Sequence, residues 1–122
     1  MNDIRIEKTH ESVTISASSF SLSDEVRFGA LYPNGYGSLQ LQVTGSGIVK
    51  AEYKISNNGI SYETPAEDSD PIVEGFGVTS GPESNGVGMY RLSFMLCKFL
   101  KILITETGGS SPAVVSTWVA IQ

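Results

Sequence analysis

The acidic residues between positions 63 and 70 are the groups in this sequence best suited to chemistry. Glu67, Asp68 and Asp70 follow Glu63 in a segment rich in proline and polar residues. Closely spaced carboxylates suit Ca²⁺, which takes about six to eight oxygen ligands. Glu67, Asp68 and Asp70 are therefore candidate calcium ligands, and no other cofactor is indicated. A solvated acidic loop is the competing interpretation, since the alternating calcium-loop pattern closed by a distal Glu is incomplete.

Paired carboxylates could also act as acid and base in glycoside hydrolysis. A small hydrolase that uses Glu63, Glu67 or Asp70 is therefore one hypothesis. A chain of 122 residues leaves little room for a substrate cleft, and the sequence contains no nucleophile elbow, phosphate-binding loop or dinucleotide fingerprint. We expect a protein that is not an enzyme, and we assign no catalytic residue.

Two tyrosines, Tyr32 and Tyr36, flank the turn-forming string Pro33-Asn34-Gly35. A pair of exposed rings in a loop could stack on a sugar, so Tyr32 and Tyr36 are candidate ligand-binding residues. The alternative is that the two rings pack against the body of the protein and hold the loop in place.

Three other side chains are expected to be structural. The single histidine, His10, lies in a polar stretch between two predicted strands, which favours an exposed turn. The single cysteine, Cys97, follows an apolar run and is expected to pack as a small hydrophobic residue; alone, it excludes an internal disulfide or a multi-cysteine metal site. Trp118 is flanked by aliphatic residues and is expected to lie in the core.

The elements that would position these residues are strands. Val, Ile and Thr together outnumber Ala and Leu by 28 to 14, and β-branched side chains favour a pleated surface. Apolar and polar residues alternate repeatedly, as expected of sheets covered on one side. Residues 99–104 and 113–121 are apolar at both parities. They are predicted to be central strands, or strands whose second face is covered by a neighbouring subunit.

Turn-forming strings separate these runs at the spacing of a sandwich or barrel. Gly45-Ser46-Gly47 joins two strong strands, Asn57-Asn58-Gly59 predicts a hairpin between residues 53–56 and 60–62, and residues 108–112 link the last two strands. No alternation of strands with helices appears. We predict an all-β fold, an antiparallel β-sandwich or jelly roll of about eight to ten strands, as a single domain over residues 1–122.

Charge and hydropathy exclude several classes of partner. The chain has 8 basic and 13 acidic residues, a net charge of −5, which argues against nucleic acid because a phosphate backbone recruits Lys and Arg. No apolar run approaches the ~20 residues of a membrane helix, and none resembles a signal peptide at the N-terminus. We expect no insertion into a membrane, and we expect the chain to fold in a reducing cytoplasm.

The order of elements in residues 38–122 carries a resemblance. A strand at 38–45 leads into the predicted hairpin at 47–59, an acidic loop follows, and a later strand ends in Thr105-Glu106-Thr107. This layout resembles small β-sandwich structural proteins of tailed phages and prophages. The resemblance implies a capsid-decorating or tail-associated protein that assembles through sheet surfaces, located in the virion. It implies no catalytic residue.

Two functions from different classes follow. The first is a non-enzymatic structural or assembly protein of a phage-like particle, whose partners are copies of itself or other virion proteins; the small size of the chain favours burial by oligomerisation. The second is a lectin-like carbohydrate-binding module, in which Tyr32 and Tyr36 bind a glycan and the acidic loop holds Ca²⁺.

Overall fold

The computed structural model describes residues 4–28, 36–65, 70–78, 85–93 and 97–121, with the backbone alone at Tyr36. Within these ranges the chain forms nine β-strands and no helix. The strands are β1 (Arg5–Ile15), β2 (Phe20–Leu22), β3 (Val26–Arg27), β4 (Tyr36–Gly45), β5 (Val49–Ser56), β6 (Val73–Phe76), β7 (Val87–Ser93), β8 (Phe99–Glu106) and β9 (Ala113–Ile121).

The nine strands make two antiparallel sheets that face each other. Sheet A has the order β1-β9-β4-β7, and sheet B has the order β2-β8-β5-β6, with the short β3 also paired to β8. The first strand, β1, pairs with the last, β9, and the second strand, β2, pairs with β8. The topology is that of a long antiparallel hairpin that folds over into two Greek keys. The predicted antiparallel sandwich with jelly-roll connections is confirmed.

The strands that are apolar at both parities, β8 and β9, each lie inside their sheet. β8 lies between β2 and β5, and β9 lies between β1 and β4, which confirms the prediction that they are central strands. Their alternate residues point between the sheets and are fully buried, whereas the others point outward and are half-buried. The core between the sheets is built from these inward residues and their counterparts on β4 and β5, including Leu39, Leu41, Val49, Ala51, Leu100, Ile102, Ile104, Val115 and Val119.

The turn at Gly45-Ser46-Gly47 carries the chain from sheet A to sheet B. Gly45 has a φ of +86°, a conformation that glycine adopts without strain. A Cβ atom on Gly47 would lie 2.7 Å from the Cβ of Ala113, so only glycine fits where this turn crosses the start of β9. The link between β8 and β9 also crosses between sheets, which closes the same end of the sandwich.

The predicted hairpin at Asn57-Asn58-Gly59 is wrong in its second strand. The chain turns there, but residues 60–62 form no strand, and a single bridge joins Ile55 to Glu63. The side-chain oxygen of Asn58 accepts hydrogen bonds from the amides of Ile60 and Ser61, at 2.8 and 2.9 Å. These local bonds take the donors that a ladder would need, as Asn often does in turns.

The predicted turn around His10 is also wrong, because residues 5–15 form one continuous strand. β1 pairs with β9 along its whole length, with register shifts between Lys8 and His10 and between His10 and Val13. Such bulges leave extra residues on one strand and change which way its side chains point. The alternation of apolar and polar residues breaks at the bulges, so one bent strand was predicted as two separate strands.

Candidate functional site

Most of the predicted ligand-binding residues cannot be located. Tyr32, Glu67 and Asp68 lie outside the described residues, and Tyr36 begins β4 with no description of its side chain. Asp70 is described and exposed, in a bend that precedes β6. The glycan site at Tyr32 and Tyr36 and the calcium site at Glu67, Asp68 and Asp70 therefore stay predictions.

Asp70 borders a small open cleft between β7 and the strands β5 and β6. The cleft has a volume of about 170 Å³, and its lining is Tyr53, Asp70, Pro71, Ile72, Arg91, Leu92 and Ser93. The hydroxyl of Tyr53 donates to the carbonyl oxygen of Ser93 at 3.1 Å. Sites for drug-sized ligands span roughly 300–1,000 Å³, so this cleft has room only for a few atoms of a ligand.

No three His, Cys, Asp or Glu side chains converge on a possible metal position within the described ranges. Glu63, the remaining carboxylate of the predicted hydrolase, is exposed, and its backbone exchanges two 3.0 Å hydrogen bonds with Ile55. The same ranges contain no helix long and apolar enough to cross a membrane.

The carboxylate of Glu106 is the most completely hydrogen-bonded ionisable group of the described structure. It is 1% exposed at the end of β8. One oxygen accepts from the amides of Gly109 at 2.8 Å and Ser18 at 3.0 Å; the other accepts from Ile48 and Gly108, both at 2.9 Å. These backbone bonds lower the pKa of Glu106 to about 2, and the Gly109 bond contributes most.

Glu106 thereby ties three connections together at one end of the sandwich: β1–β2, β4–β5 and β8–β9. The amide of Glu106 also donates to the carbonyl oxygen of Ser19 at 2.8 Å. Sequence reasoning did not identify this residue, although the signal is present, since Leu100, Ile102 and Ile104 point inward and the same period places Glu106 inward. Its role is structural, because its oxygens are already occupied by main-chain donors.

His10 is buried between the two sheets, so its predicted exposure in a turn is wrong. The side chain is 3% exposed. Nδ1 lies 2.7 Å from the hydroxyl oxygen of Thr117 on β9, and Nε2 lies 3.3 Å from the carbonyl oxygen of Ser21 on β2. Because a carbonyl only accepts, Nε2 carries the proton and Nδ1 accepts from Thr117. Burial lowers the pKa of His10, which favours this neutral form.

Cys97 is buried, as predicted, and its thiol is poorly suited to nucleophilic chemistry. Burial raises the pKa of Cys97 to about 11, so the thiolate is scarce at neutral pH. His10, Cys97 and Glu106 are all buried, and hydrogen bonds within the chain occupy the polar atoms of His10 and Glu106.

Trp118 is half-buried on the outer side of sheet A, so its predicted place in the core is wrong. The β9 residues at odd positions point into the core, which puts Trp118 on the opposite side. The ammonium group of Lys8 lies 5.1 Å from the centre of its ring. This is a cation–π contact of a kind that contributes about 0.5–1 kcal/mol at exposed sites.

The outward residues of sheet A form one surface, which we call outer face A. Register aligns them in rows across the four strands, for example Lys8, Trp118, Gln40 and Met89. Met89 is 63% exposed, and Ile6 is 66% exposed. Outer face A comprises Ile6, Lys8, Ser38, Gln40, Gln42, Thr44, Val87, Met89, Arg91, Val114, Ser116, Trp118 and Ala120.

The outer side of sheet B is different, because the chain itself covers part of it. The ammonium group of Lys101 lies 4.4 Å from the centre of the Tyr62 ring, and the Tyr62 hydroxyl donates to Glu25 at 2.9 Å. Partial burial and this bond raise the pKa of Tyr62 to about 12. Lys54 donates to Thr64 at 3.2 Å. Residues 62–64 thus provide partners for polar side chains on the outer side of sheet B.

Comparison with known proteins gives matches in structure alone. No protein-family model matches the chain, and no curated protein matches it significantly in sequence. The VP2 subviral particle of infectious bursal disease virus matches 98% of this chain with a TM-score of 0.60 and 11% identity. T=1 particles derived from the same virus match 98% of the chain with a TM-score of 0.55 and 12% identity.

This chain spans about a third of the length of those virus proteins, since it covers 32% and 31% of their chains. The prophage-derived protein YomS of SPBc2 matches 97% of this chain and 93% of its own, with 15% identity and a TM-score of 0.43. At identities this low, the two viral matches show a shared fold alone. The viral matches agree with the jelly-roll topology of the two sheets.

Proposed function

We propose that this chain is a non-enzymatic structural module of a phage-like particle, which acts by binding copies of itself or other particle proteins. The observation that carries the proposal is the structural match of 98% of this chain to about a third of the VP2 chain in a subviral particle. Jelly rolls are widely used as capsid domains, though also as lectins, so the fold favours this class without fixing it.

The buried ionisable groups support a structural role. Main-chain amides occupy both oxygens of Glu106, and His10 is enclosed between Thr117 and Ser21. An enzyme needs such groups at a cleft and in contact with substrate. Here they contact other parts of the chain and join the sheets and loops to each other, as expected of a structural module.

The exposed surface supports assembly through sheet faces. Outer face A presents Trp118, Met89 and Arg91, residue types enriched at protein–protein interfaces, and three of its four strands, β4, β7 and β9, carry none of the acidic residues that interfaces tend to exclude. In this proposal the chain is made in the bacterial cytoplasm and becomes part of the virion, either on the capsid or with the tail.

Electron microscopy of the purified full chain tests the proposal. Samples across a concentration series, alone and mixed with particles of a phage that encodes the chain, are negatively stained and imaged. We expect discrete rings, shells or decorated particles. A chain that forms no assembly and joins no particle at any concentration contradicts the proposal, and specific glycan binding by such a chain would instead support the lectin-like alternative.

A further inference from the structure

Outer face A differs in charge from the rest of this acidic protein. The strands β4, β7 and β9 carry no carboxylate at all, and their only charged residue is Arg91, although the chain has 13 acidic residues. The described carboxylates lie on β1, in the β2–β3 connection, on sheet B or in the segment that follows β5, at Asp70 beside the cleft that Arg91 also lines, or buried at Glu106. A surface free of acids therefore runs across three adjacent strands.

The polar groups of outer face A are also less occupied than those of sheet B. On sheet B, Glu25 pairs with Arg27 at 2.8 Å and Lys50 pairs with Glu52 at 3.5 Å. On outer face A, the only charged contacts of the described residues are those of Lys8, with Glu11 at 3.3 Å and with the ring of Trp118. Uncharged amides and hydroxyls, which lose less hydration energy than ions on burial, fill the centre.

The face is large enough for a specific contact. Four strands about 4.8 Å apart and four rows of outward residues about 6.7 Å apart cover roughly 19 Å by 27 Å, on the order of 500 Å². Two such faces pressed together bury about 1,000 Å² in total, the lower limit expected of a biological interface. A single small ligand would cover only a fraction of this area.

The charge pattern fits a second copy of the chain. A two-fold axis parallel to the strands, between β4 and β9, would lay β9 of one copy over β4 of the other. Trp118 would then face Gln40 of the second copy, and the two Arg91 side chains would lie at opposite edges. Each Arg91 would face Ile6 of the second copy and each Lys8 would face its Met89, so these charged side chains would meet uncharged ones.

We infer that outer face A is a self-association surface, on which a second copy of the chain packs face to face with its own outer face A. Aligned sheets pack about 10 Å apart with their strands within about 30°. Trp118 and Gln40 form the centre of the contact, and Met89 and Lys8 form its two sides. The inference rests on the proposed function and names the surface through which the module would assemble.

The native chain contains its own probe, because Trp118 is the only tryptophan. Mass by sedimentation and Trp118 fluorescence are measured on the same concentration series. We expect the Trp118 emission to shift to shorter wavelength, and its quenching by acrylamide to fall, over the range in which the mass doubles.

Two matched variants test the surface. Met89→Lys puts an ammonium group on outer face A opposite Lys8 of the second copy, and should weaken association by about tenfold or more because the two like charges repel. Phe20→Lys changes an equally apolar residue, 70% exposed on the outer side of sheet B, and should leave association unchanged. Circular dichroism confirms that both variants fold.

The outcomes separate this inference from the proposed function. Association that leaves Trp118 accessible, or that responds to Phe20→Lys and not to Met89→Lys, overturns the inference while the proposed function stands. A chain that stays monomeric alone but joins a particle also overturns the inference while the proposed function stands. A chain that stays monomeric and joins no particle overturns both.

Discussion

Glu106 and His10 are buried to nearly the same degree, yet the structure holds them in opposite states of charge. Glu106 receives four amide donors and stays ionised, with a pKa of about 2. His10 contacts one hydroxyl and one carbonyl, and burial lowers its pKa so that it stays neutral. The partners available at each position decide which form is stable, since backbone amides can only donate and a carbonyl can only accept.

The two residues also do different structural work. Glu106 joins three connections at one end of the sandwich, whereas His10 joins β9 of sheet A to β2 of sheet B. Removing each group should therefore destabilise the fold by a different amount and in a different range of pH.

The largest effect is expected from Glu106→Gln. In this variant a side-chain NH2 group replaces one carboxylate oxygen. The main-chain amides that donate to that oxygen would stay buried and lose their acceptor. The free energy of unfolding should fall by about 2–4 kcal/mol. Urea denaturation at pH 7 measures the loss.

Glu74→Gln is the matched control, because Glu74 is an exposed residue of β6. It should change the free energy of unfolding by no more than about 0.5 kcal/mol. Equal stability of the two variants would contradict the role given to Glu106. In the native chain the contribution of Glu106 is complete above its usual pKa of 4.5 and is lost as the pH falls towards 2.

His10 should make stability depend on pH in a separate, higher range. Its folded pKa lies below 6.5, so the unfolded chain binds the proton more readily, and stability falls as the pH drops below 6.5. The slope is at most about 1.4 kcal/mol per pH unit.

Because His10 is the only histidine, His10→Asn should remove this dependence between pH 7 and 5.5. Thermal unfolding of the two proteins across that range measures it. A native chain that is equally stable at pH 7 and 5.5, or an Asn variant with an unchanged slope, would show that His10 is not held neutral.

A smaller effect is expected from Thr117→Val, which removes the hydroxyl beside Nδ1 of His10 and keeps the shape of the side chain. The buried nitrogen loses its donor, so the free energy of unfolding should fall by about 1–2 kcal/mol. Thr44→Val, at an exposed position of β4, is the control and should be nearly neutral. Chemical denaturation of both variants decides whether this contact between β1 and β9 stabilises the fold.

Cys97 is a third buried ionisable group, and burial alone raises its pKa. The prediction for Cys97 concerns the reactivity of its thiol and not the stability of the fold. With a pKa raised to about 11, the native thiol should react with a disulfide reagent at pH 8 far more slowly than the thiol of the chain unfolded in urea. Labelling of the folded protein at the unfolded rate would contradict the burial of Cys97.

The sequence predicted the fold class well, because the alternation of apolar and polar residues over β4 and β5 is a local signal that the structure retains. Leu39, Leu41 and Val49 are buried, as this alternation predicts. The sheet to which each strand belongs could not be predicted, since the turn at residues 45–47 gives no sign that it crosses between sheets. Pairing of β1 with β9 depends on residues more than 100 positions apart.

The functional residues were harder to predict for the same reason. His10 has polar neighbours in sequence, and only its distant partner Thr117 makes its burial favourable. Trp118 has aliphatic neighbours on both faces of its strand. The sequence does not show which alternate residues of β9 point into the core, so it could not show that Trp118 points outward. Glu106 could have been found by extending the period of β8 through a charged residue.

The most direct test of the account is the solution mass of the native chain, measured by light scattering across a concentration series at neutral pH. A structural module that associates through its sheet surface should rise from monomer to a dimer or a larger closed assembly as the concentration increases. A single monomeric mass at every concentration, from a chain that also fails to join a particle, would contradict the account.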